Sequence, residues 1–332
     1  NFTVDAYYKR TEDLLLRMPI PTSTGFGQRL TNIGNIENKG LEVALNNVNL
    51  NGKFKWTTDF TFSANRNKVL DLGGAEQQTF TDQFSNGQFT GLLRVGESLG
   101  TWIGFETNGV FSYEDFDDDG ALIDNSFGTP SNVNPNSIPK LGDVKYVDQN
   151  NDGIIDDNDR TIIARTQPKH FGSMYNDFSY RGFNLGVFIT YKYGFDVING
   201  NKHRMVATGY DQFNKTGDLA YHWTPENTNT NVPRADYKDF NFTDRFVEDG
   251  SFVRLQSVNL SYNLPFDVVQ NMGVKSLRIY TNIDNLYIWT KYSGYDPDVS
   301  VARGQQALIT PNLDYGAYPR TLNVTLGVKV KF

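Results

Sequence analysis

The last thirteen residues of the chain, 320–332, alternate without a break between apolar and polar side chains. Successive side chains of a β-strand point to opposite faces, so this period of two predicts a strand with one apolar face. The length matches the roughly 9–11 residues that a tilted strand needs to cross a membrane. An amphipathic strand of a β-sandwich has the same pattern, so both interpretations stay open. The apolar positions are Leu322, Val324, Leu326, Val328, Val330 and Phe332.

The final residue, Phe332, adds to the membrane interpretation because it is aromatic. Bacterial outer-membrane barrels commonly close with a strand of this kind. The six apolar residues of 322–332 therefore resemble the signal that is read by the barrel-assembly machinery.

Composition favours an extracytoplasmic β protein. The absence of cysteine from 332 residues excludes a disulfide framework and a thiolate metal site. Aromatic residues make up 14% of the chain, enough for rings of aromatic side chains at two membrane interfaces. No run approaches the roughly 18 consecutive apolar residues of a membrane helix. The net charge of −7 argues against a nucleic-acid-binding surface.

Hairpins with short turns follow one another along the chain. Asn51-Gly52 and Arg181-Gly182 are turn dipeptides, and each separates two alternating segments. Two later segments, 251–264 and 274–290, alternate as well, but each shifts its phase once. A shift by one residue exchanges the two faces of a strand, so we predict β-bulges near Gln256-Ser257 and Asp284-Asn285.

Long segments rich in Gly, Asn, Asp and Pro separate the hairpins, at about 68–98, 112–170, 195–248 and 291–319. Such long loops are uncommon in compact domains, whereas outer-membrane barrels pair short periplasmic turns with long extracellular loops. The pattern therefore favours an antiparallel transmembrane β-barrel. Residues 1–8 already alternate, so we expect the chain, 1–332, to be the C-terminal portion of a longer protein.

One segment inside the 112–170 loop, residues 148–159, matches a twelve-residue calcium loop. Gly153 stands at the turn position, and Ile155 is expected to pack beneath the loop. Position 12 is Asp rather than the usual Glu, which makes bidentate ligation harder and predicts a weaker site. A metal-free loop held by Asx-turns is the alternative. The predicted Ca²⁺ ligands are Asp148, Asn150, Asp152, Ile154 through its carbonyl, Asp156 and Asp159.

Other polar and aromatic clusters give weaker signals. The acidic run 115–120 fits only half of the calcium pattern and is interpreted as a solvated loop tip. The aromatic residues of 221–223 and 287–295 could stack on sugar rings, but such residues more often form interface rings or support loops. The three histidines are scattered and no catalytic constellation is present, so we predict no catalytic residues and no enzyme activity.

Taken together, seven segments resemble the SusC/RagA type of TonB-linked outer-membrane receptor. Each is a weak signal alone, but they occur in the family's order and end on the terminal Phe. They are VDAYYKR (4–10), NIGNIENKGLE (32–42), LGDVKYVD (141–148), DRTII (159–163), WTPEN (223–227), VEDGSFVRL (247–255) and YSGYDP (292–297).

The resemblance implies a barrel of roughly 22 strands plugged by an N-terminal domain, of which this chain would supply roughly nine or ten strands. It also implies import of glycans or peptides across the outer membrane of a Gram-negative bacterium. The implied partners are a SusD-like surface lipoprotein, the TonB–ExbB–ExbD complex and outer-membrane lipid. The plug and the first strands do not occur in this sequence. An open half-barrel would leave two unpaired edges in lipid, so we expect further strands to complete the wall.

Two other protein classes remain as alternatives. A secreted or surface β-sandwich module for adhesion or carbohydrate binding would use the same alternation and bury its apolar faces in a core. A surface glycanase is the third possibility, because two carboxylates can converge from anywhere in a fold.

Overall fold

The computed structural model describes most of the chain: residues 1–19, 22–26, 28–81, 89–130, 138–206, 214–239, 241–270, 273–302 and 306–332. All four long segments predicted from the sequence, 68–98, 112–170, 195–248 and 291–319, therefore extend partly outside the described residues. All predicted metal ligands and all six residues of the predicted assembly signal lie within them.

Strands dominate the structure. In chain order they are β1 (Phe2–Thr11), β2 (Leu15–Pro19), β3 (Gln28–Asn32), β4 (Asn35–Asn51), β5 (Phe54–Asp71), β6 (Gln77–Thr81), β7 (Thr90–Arg94), β8 (Thr101–Gly104), β9 (Thr107–Val110), β10 (Phe127–Gly128), β11 (Val144–Val147), β12 (Thr161–Arg165), β13 (His170–Tyr180), β14 (Phe183–Tyr193), β15 (Asp196–Asn199), β16 (Val247–Asp249), β17 (Phe252–Asn263), β18 (Ser276–Thr290), β19 (Leu313–Asp314) and β20 (Asn323–Lys331).

Helices are few and short. The α-helices are α1 (Gly200–Val206), α2 (Phe266–Gln270) and α3 (Gln306–Ile309). Single 3₁₀ turns occupy Thr22–Thr24, Tyr113–Asp115, Asp157–Asp159, Gly217–Tyr221 and Asp244–Phe246. Within the described ranges, no helix combines the length and the apolar character needed to cross a bilayer.

The largest sheet has eight strands in the order β1-β4-β5-β13-β14-β17-β18-β20, and every neighbouring pair is antiparallel. We call this sheet the wall. The prediction of nine or ten wall strands was therefore too high for the described residues. Short connections join the wall strands at one end, and the long segments leave it at the other.

One face of the wall is apolar and uncovered. Phe2, Val324, Leu326 and Phe332 on this outer face are 67%, 59%, 80% and 82% exposed. A β-sandwich would bury these side chains between two sheets, so the sandwich interpretation is wrong. The wall is an antiparallel barrel sheet with an apolar outer face and a polar inner face, as the alternation predicts.

Turns and bulges fall where the sequence predicts them. β4 ends at Asn51 and β5 begins at Phe54, and between β13 and β14 Arg181 and Gly182 both have positive φ, at 46° and 86°. Positive φ at both central residues is the signature of the type I′ hairpin turn.

The register of β17 shifts between Leu255 and Ser257 against both of its neighbours. Asn285 of β18 has a φ of 55°, and its Oδ1 accepts a hydrogen bond of 3.1 Å from Gln256 Nε2. Both predicted bulges are therefore present, side by side on adjacent strands.

The long segments fold into a layer at one end of the wall, which we call the loop layer. It contains a four-stranded sheet (β12-β8-β7-β6), a three-stranded sheet (β10-β11-β9), a mixed sheet (β16-β15-β19) and the β2-β3 hairpin. The buried apolar core lies mainly in this layer rather than in the wall. Its largest cluster contains Phe89, Trp102, Ala164, Ile198, Phe242, Phe246 and Leu313.

Candidate functional site

Aromatic side chains form a first row on the outer face of the wall, close to the short turns. Phe178 of β13 lies 6.2 Å from Phe54 and 5.8 Å from Trp56, measured between ring centroids. Phe183 and Tyr262 pair at 4.3 Å on the next strands. Tyrosine and tryptophan favour the membrane–water interface because each ring carries a polar group on an apolar body.

A second aromatic row lies on the same face near the loop layer. His170 lies 5.0 Å from Tyr193 and 5.7 Å from Tyr191, and Tyr287 lies 4.8 Å from Trp289. The ten residue-to-residue steps from His170 to Tyr180 span roughly 33 Å of strand, or about 25 Å of height at the usual tilt. That height matches the apolar band of an outer-membrane barrel.

Polar side chains next to the first aromatic row are bonded to one another. Asn176 Oδ1 accepts hydrogen bonds from Trp56 Nε1 at 3.0 Å and from Thr58 Oγ1 at 2.7 Å. Asn49 Nδ2 donates to Thr58 Oγ1 at 2.7 Å. Mutual pairing lets such groups lie next to hydrocarbon without an unsatisfied donor.

On the inner face, three tyrosine rings each cover a glycine of the neighbouring strand. The pairs are Tyr7 with Gly40, Tyr175 with Gly186, and Tyr280 with Gly327. A Cβ on any of these glycines would collide with the ring above it. The sequence analysis did not identify these pairs, because they join residues of different strands.

Ion pairs fasten the 291–319 segment to the wall. Arg254 of β17 binds Asp296 at 2.6 Å, and both side chains are buried. Asp298 binds Lys192 of β14 at 2.5 Å and Arg320 at 2.5 Å. Burial would raise the pKa of Asp298, but the Lys192 ammonium and the Arg320 guanidinium hold it below its ordinary value.

Glu248 of β16 forms a second anchor for the same segment. Its carboxylate accepts hydrogen bonds from Ser293 N at 2.7 Å and Ser293 Oγ at 2.8 Å. Asn199 Nδ2 donates at 3.1 Å, and Lys202 Nζ lies 3.3 Å away. Burial acts to raise the pKa of Glu248, yet the Ser293 donors and Lys202 leave it below its ordinary value.

A buried polar cluster lies within the loop layer. Tyr146 donates a hydrogen bond to Asp239, and burial raises the pKa of both groups. Nearby, Asp143 accepts a hydrogen bond of 2.7 Å from Arg234 Nε. These contacts join residues about ninety positions apart, and no local sequence signal indicates them.

The calcium-like loop adopts a tight turn between β11 and β12. Asp148 is buried and accepts hydrogen bonds from Asn151 N at 2.6 Å and Gly153 N at 2.7 Å. Burial acts to raise its pKa, but these backbone donors hold the pKa below its ordinary value. Ile155 is buried against Phe105, Val144, Tyr146 and Tyr237, beneath the loop as its position predicts.

The other predicted ligands divide between the interior and the surface. Asp159 is buried and accepts hydrogen bonds from Gln149 N at 2.9 Å and Asp156 N at 2.8 Å. Four are exposed: Asn150, Asp152, Ile154 and Asp156. In the described part of the chain, no three His, Asp or Glu side chains are grouped as a metal site. Calcium binding by this loop stays a prediction.

No protein-family model matches the chain. Four relatives match it over nearly its whole length, among them the following three. TonB-dependent receptor P3 of Formosa agariphila is 33% identical over 99% of this chain and 32% of its own length. TonB-dependent receptor P26 of the same organism is 33% identical over 98% of this chain and 32% of its own length. TonB-dependent receptor SusC of Bacteroides thetaiotaomicron is 24% identical over 99% of this chain and 30% of its own length.

The chain is similar over nearly its whole length to TonB-dependent receptors that share a third of its residues. It spans only 32% of the length of each of the first two relatives. Among solved structures, the RagAB peptide transporter superposes with a TM-score of 0.78 and 22% identity, over all of this chain and 33% of that one. The RagAB peptide importer in an 'open-open' state gives a TM-score of 0.76 and 23% identity, over all of this chain and 32% of that one.

These relatives confirm the resemblance to SusC/RagA-type receptors and the barrel fold. The relatives are named as receptors and the solved structures as a peptide transporter, which agrees with the prediction of no enzyme activity and gives no support to the glycanase alternative.

The aromatic and acidic segments noted in the sequence differ in their burial. Tyr287 and Trp289 belong to the second aromatic row, and Trp223 is buried, whereas Tyr221 and Tyr295 are 70% and 81% exposed. The acidic run 115–120 is mostly exposed, as predicted.

Proposed function

We propose that this chain forms part of the barrel wall of a SusC-type transporter in the outer membrane of a Gram-negative bacterium. The transporter would import oligosaccharides or peptides, and the chain would be the C-terminal part of its barrel. The observation that supports the proposal most is the uncovered apolar outer face, bounded by an aromatic row at each end.

Membrane placement is tested by putting a charge on the outer face of the full-length receptor. Ile189 pairs with Met174 and Leu255 midway between the aromatic rows. An Ile189→Arg variant should lose the folded form in outer-membrane fractions, because a central lipid-facing charge costs about 2–4 kcal/mol. Ser257→Arg, on the inner face, should keep that form. Equal folding of the two variants would refute the placement.

Import is tested with cells that produce the full-length receptor with and without a functional TonB. Labelled oligosaccharides and labelled peptides are supplied separately. RagAB is named a peptide transporter, which supports including the peptide arm. Uptake of one class that disappears without TonB would support the proposal. TonB-independent entry of both classes would refute it.

The proposed partners are a SusD-like surface lipoprotein and the TonB–ExbB–ExbD complex. The similarity to TonB-dependent receptor SusC supports both, and the folded loop layer supplies a structured outer surface for the lipoprotein. Affinity purification of the full-length receptor from native membranes should recover the lipoprotein in stoichiometric amount. Recovery of the receptor alone under mild detergent would contradict the lipoprotein partner.

A further inference from the structure

A polar groove lies in the loop layer and encloses about 1080 Å³ of open space. One of its walls is formed within residues 107–114, which include β9, and the opposite wall is formed by residues 228–231. The two walls approach each other at Gly109, where a Cβ would lie 3.3 Å from Asn231 Oδ1. The loop layer lies at the end of the wall that carries the long segments, and the long loops of an outer-membrane barrel are extracellular. In that placement, the groove is on the side from which an imported molecule arrives.

Both walls of the groove are held by hydrogen bonds to neighbouring residues of the loop layer. On the first wall, Thr107 Oγ1 donates to Asp244 Oδ1 at 2.6 Å. On the second wall, Thr230 Oγ1 donates to the carbonyl oxygen of Tyr221 at 2.8 Å. The groove is therefore formed by segments with fixed partners rather than by free loop tips.

The groove presents several hydrogen-bonding side chains that are not used elsewhere. All of them are exposed, and within the part of the chain that the structure describes their side chains form no hydrogen bond or ion pair. Three of them are amides, and each amide carries two donors and one acceptor oxygen. These side chains are Asn108, Glu114, Thr228, Asn229 and Asn231.

The lining of the groove carries little free charge. Lys145 pairs with Asp115 at 2.8 Å, which neutralises the ammonium group. Glu114 is the one charged side chain of the lining without an ion-pair partner among the described residues. An anionic ligand would meet this carboxylate with no free cation to offset the repulsion. The groove therefore suits an uncharged ligand.

An exposed tyrosine adjoins each wall. Tyr113 belongs to the first wall segment, is 56% exposed, and its ring centroid lies 6.1 Å from that of Trp223. Tyr221, whose carbonyl oxygen holds Thr230 of the second wall, is 70% exposed. Aromatic rings offer flat apolar faces against which the C–H face of a sugar ring can pack.

Oligosaccharides and peptides make different demands on such a lining. A peptide of mixed sequence carries apolar and charged side chains, which need apolar pockets or counter-charges, whereas Val110 is buried and Lys145 is already paired. An oligosaccharide carries hydroxyl groups around each ring, and every hydroxyl both donates and accepts, as the side-chain amides do. The lining therefore favours sugar hydroxyls over peptide side chains.

We propose that this groove binds a neutral oligosaccharide. Asn108, Asn229 and Asn231 would bond to its hydroxyl groups, and Tyr113 and Tyr221 would pack against its rings. The inference rests on the proposed import function and narrows the two substrate classes given there to one.

The test measures binding to the full-length receptor in a non-ionic detergent by calorimetry. The probes are neutral hexasaccharides of glucose, mannose, galactose and xylose, an anionic hexagalacturonate, and a mixture of hexapeptides. The groove variant is Asn108→Ala/Asn229→Ala. The matched control, Asn125→Ala/Asn263→Ala, removes two exposed amides outside the groove.

At least one neutral hexasaccharide should bind the parent receptor. The groove variant should bind it tenfold to roughly a hundredfold more weakly, because two amide contacts are lost, and the control should bind it like the parent. The hexagalacturonate and the hexapeptides should bind the parent more weakly than the neutral probe. Binding of no neutral probe, an unchanged affinity in the groove variant, or tighter binding of the hexapeptides or the hexagalacturonate would overturn the proposal.

A second measurement on the unmodified receptor covers the case in which the groove variant fails to fold. The bound hexasaccharide should slow hydrogen exchange in residues 107–114 and 228–231, because it covers both walls, and should leave exchange in residues 121–127 unchanged. Unchanged exchange in both walls would overturn the proposal.

The groove and the import function fail in different ways. If the groove variant keeps TonB-dependent uptake of the hexasaccharide at the parent's rate, the groove proposal is overturned and the import function stands. If the hexasaccharide binds in the groove but shows no TonB-dependent uptake, the result counts against the proposed function and not against the groove.

Discussion

At the residue scale, the pairing of Tyr280 with Gly327 fixes how the last wall strand meets its neighbour. The two residues are cross-strand partners, and the ring lies over the glycine on the inner face. Only a residue without a Cβ leaves room for this contact. The ring replaces the packing that a glycine cannot provide, so the pair favours one register of β20 over its neighbours.

A Gly327→Val variant of the full-length receptor should therefore assemble poorly. Overpacking of this kind costs about 1–3 kcal/mol, and here it falls on the strand that carries the predicted assembly signal. The measurement is the fraction of receptor that migrates as the folded form in unheated electrophoresis. Thr325→Val, on the same strand and face, is the control. Folding of Gly327→Val at the parent level would show that the ring does not restrict the register, whereas restored folding in Gly327→Val/Tyr280→Ala would support the collision.

At the scale of elements, the anchors of the 291–319 segment predict its pH dependence. Burial acts to raise the pKa of Glu248, but the hydrogen bonds from Ser293 outweigh it and hold the pKa below the ordinary value of 4.5. Burial acts in the same way on Asp298, but Lys192 and Arg320 hold its pKa below the ordinary value of 3.8. A carboxyl group whose pKa is lower when folded contributes stability above its unfolded pKa. That contribution is lost as pH falls through the folded value.

Hydrogen exchange of residues 291–302, corrected for the intrinsic rate, should thus stay constant from neutral pH down to about pH 4.5 and rise below it. A Glu248→Gln variant should exchange faster at neutral pH and respond less to acid. Protection that is already lost between about pH 7 and pH 5 would contradict the assignment, because neither carboxylate titrates there.

The calcium-like loop is a second element with its own prediction. The receptor should bind Ca²⁺ at this loop. The Asp148→Ala/Asp152→Ala variant should lose Ca²⁺ binding, because a hard cation needs several oxygen ligands. Without the ion, the 148–159 loop of this variant should become open to protease. Asp117→Ala/Asp119→Ala in the exposed acidic run is the control. Equal calcium content and equal protease resistance in the two variants, measured by elemental analysis and digestion, would end the calcium hypothesis.

Local features of the elements were predictable from the sequence, and contacts between distant segments were not. The type I′ turn at Arg181-Gly182 and the bulge at Asn285 follow from neighbouring residues, through turn chemistry and the phase of alternation. The buried Arg254–Asp296 pair and the contact of Tyr146 with Asp239 join segments far apart in the chain. The residues around one partner of such a pair do not specify the other partner. The small sheets of the long segments depend on contacts of the same kind, so the sequence did not predict them.

At the scale of the whole molecule, the wall has two edges. Among the described residues β1 pairs only with β4, and β20 pairs only with β18. Each unpaired N–H or C=O group in hydrocarbon costs several kcal/mol, so two open edges are not stable in a membrane. Either further strands of the full-length receptor complete the wall, or β1 and β20 pair with each other in a narrow barrel of eight strands.

Cross-linking separates these two outcomes, because the chain has no cysteine of its own. Thr3 of β1 and Thr325 of β20 both lie on the inner face, one on each edge strand. We expect Thr3→Cys/Thr325→Cys to form no intramolecular disulfide in the folded full-length receptor, because other strands separate the edges. The same pair in residues 1–332 produced alone should not yield a monomeric, detergent-resistant barrel. A monomer closed by this disulfide would contradict the prediction, since it would show that eight strands suffice. Thr190→Cys/Ser173→Cys, a direct cross-strand pair on the inner face, is the positive control.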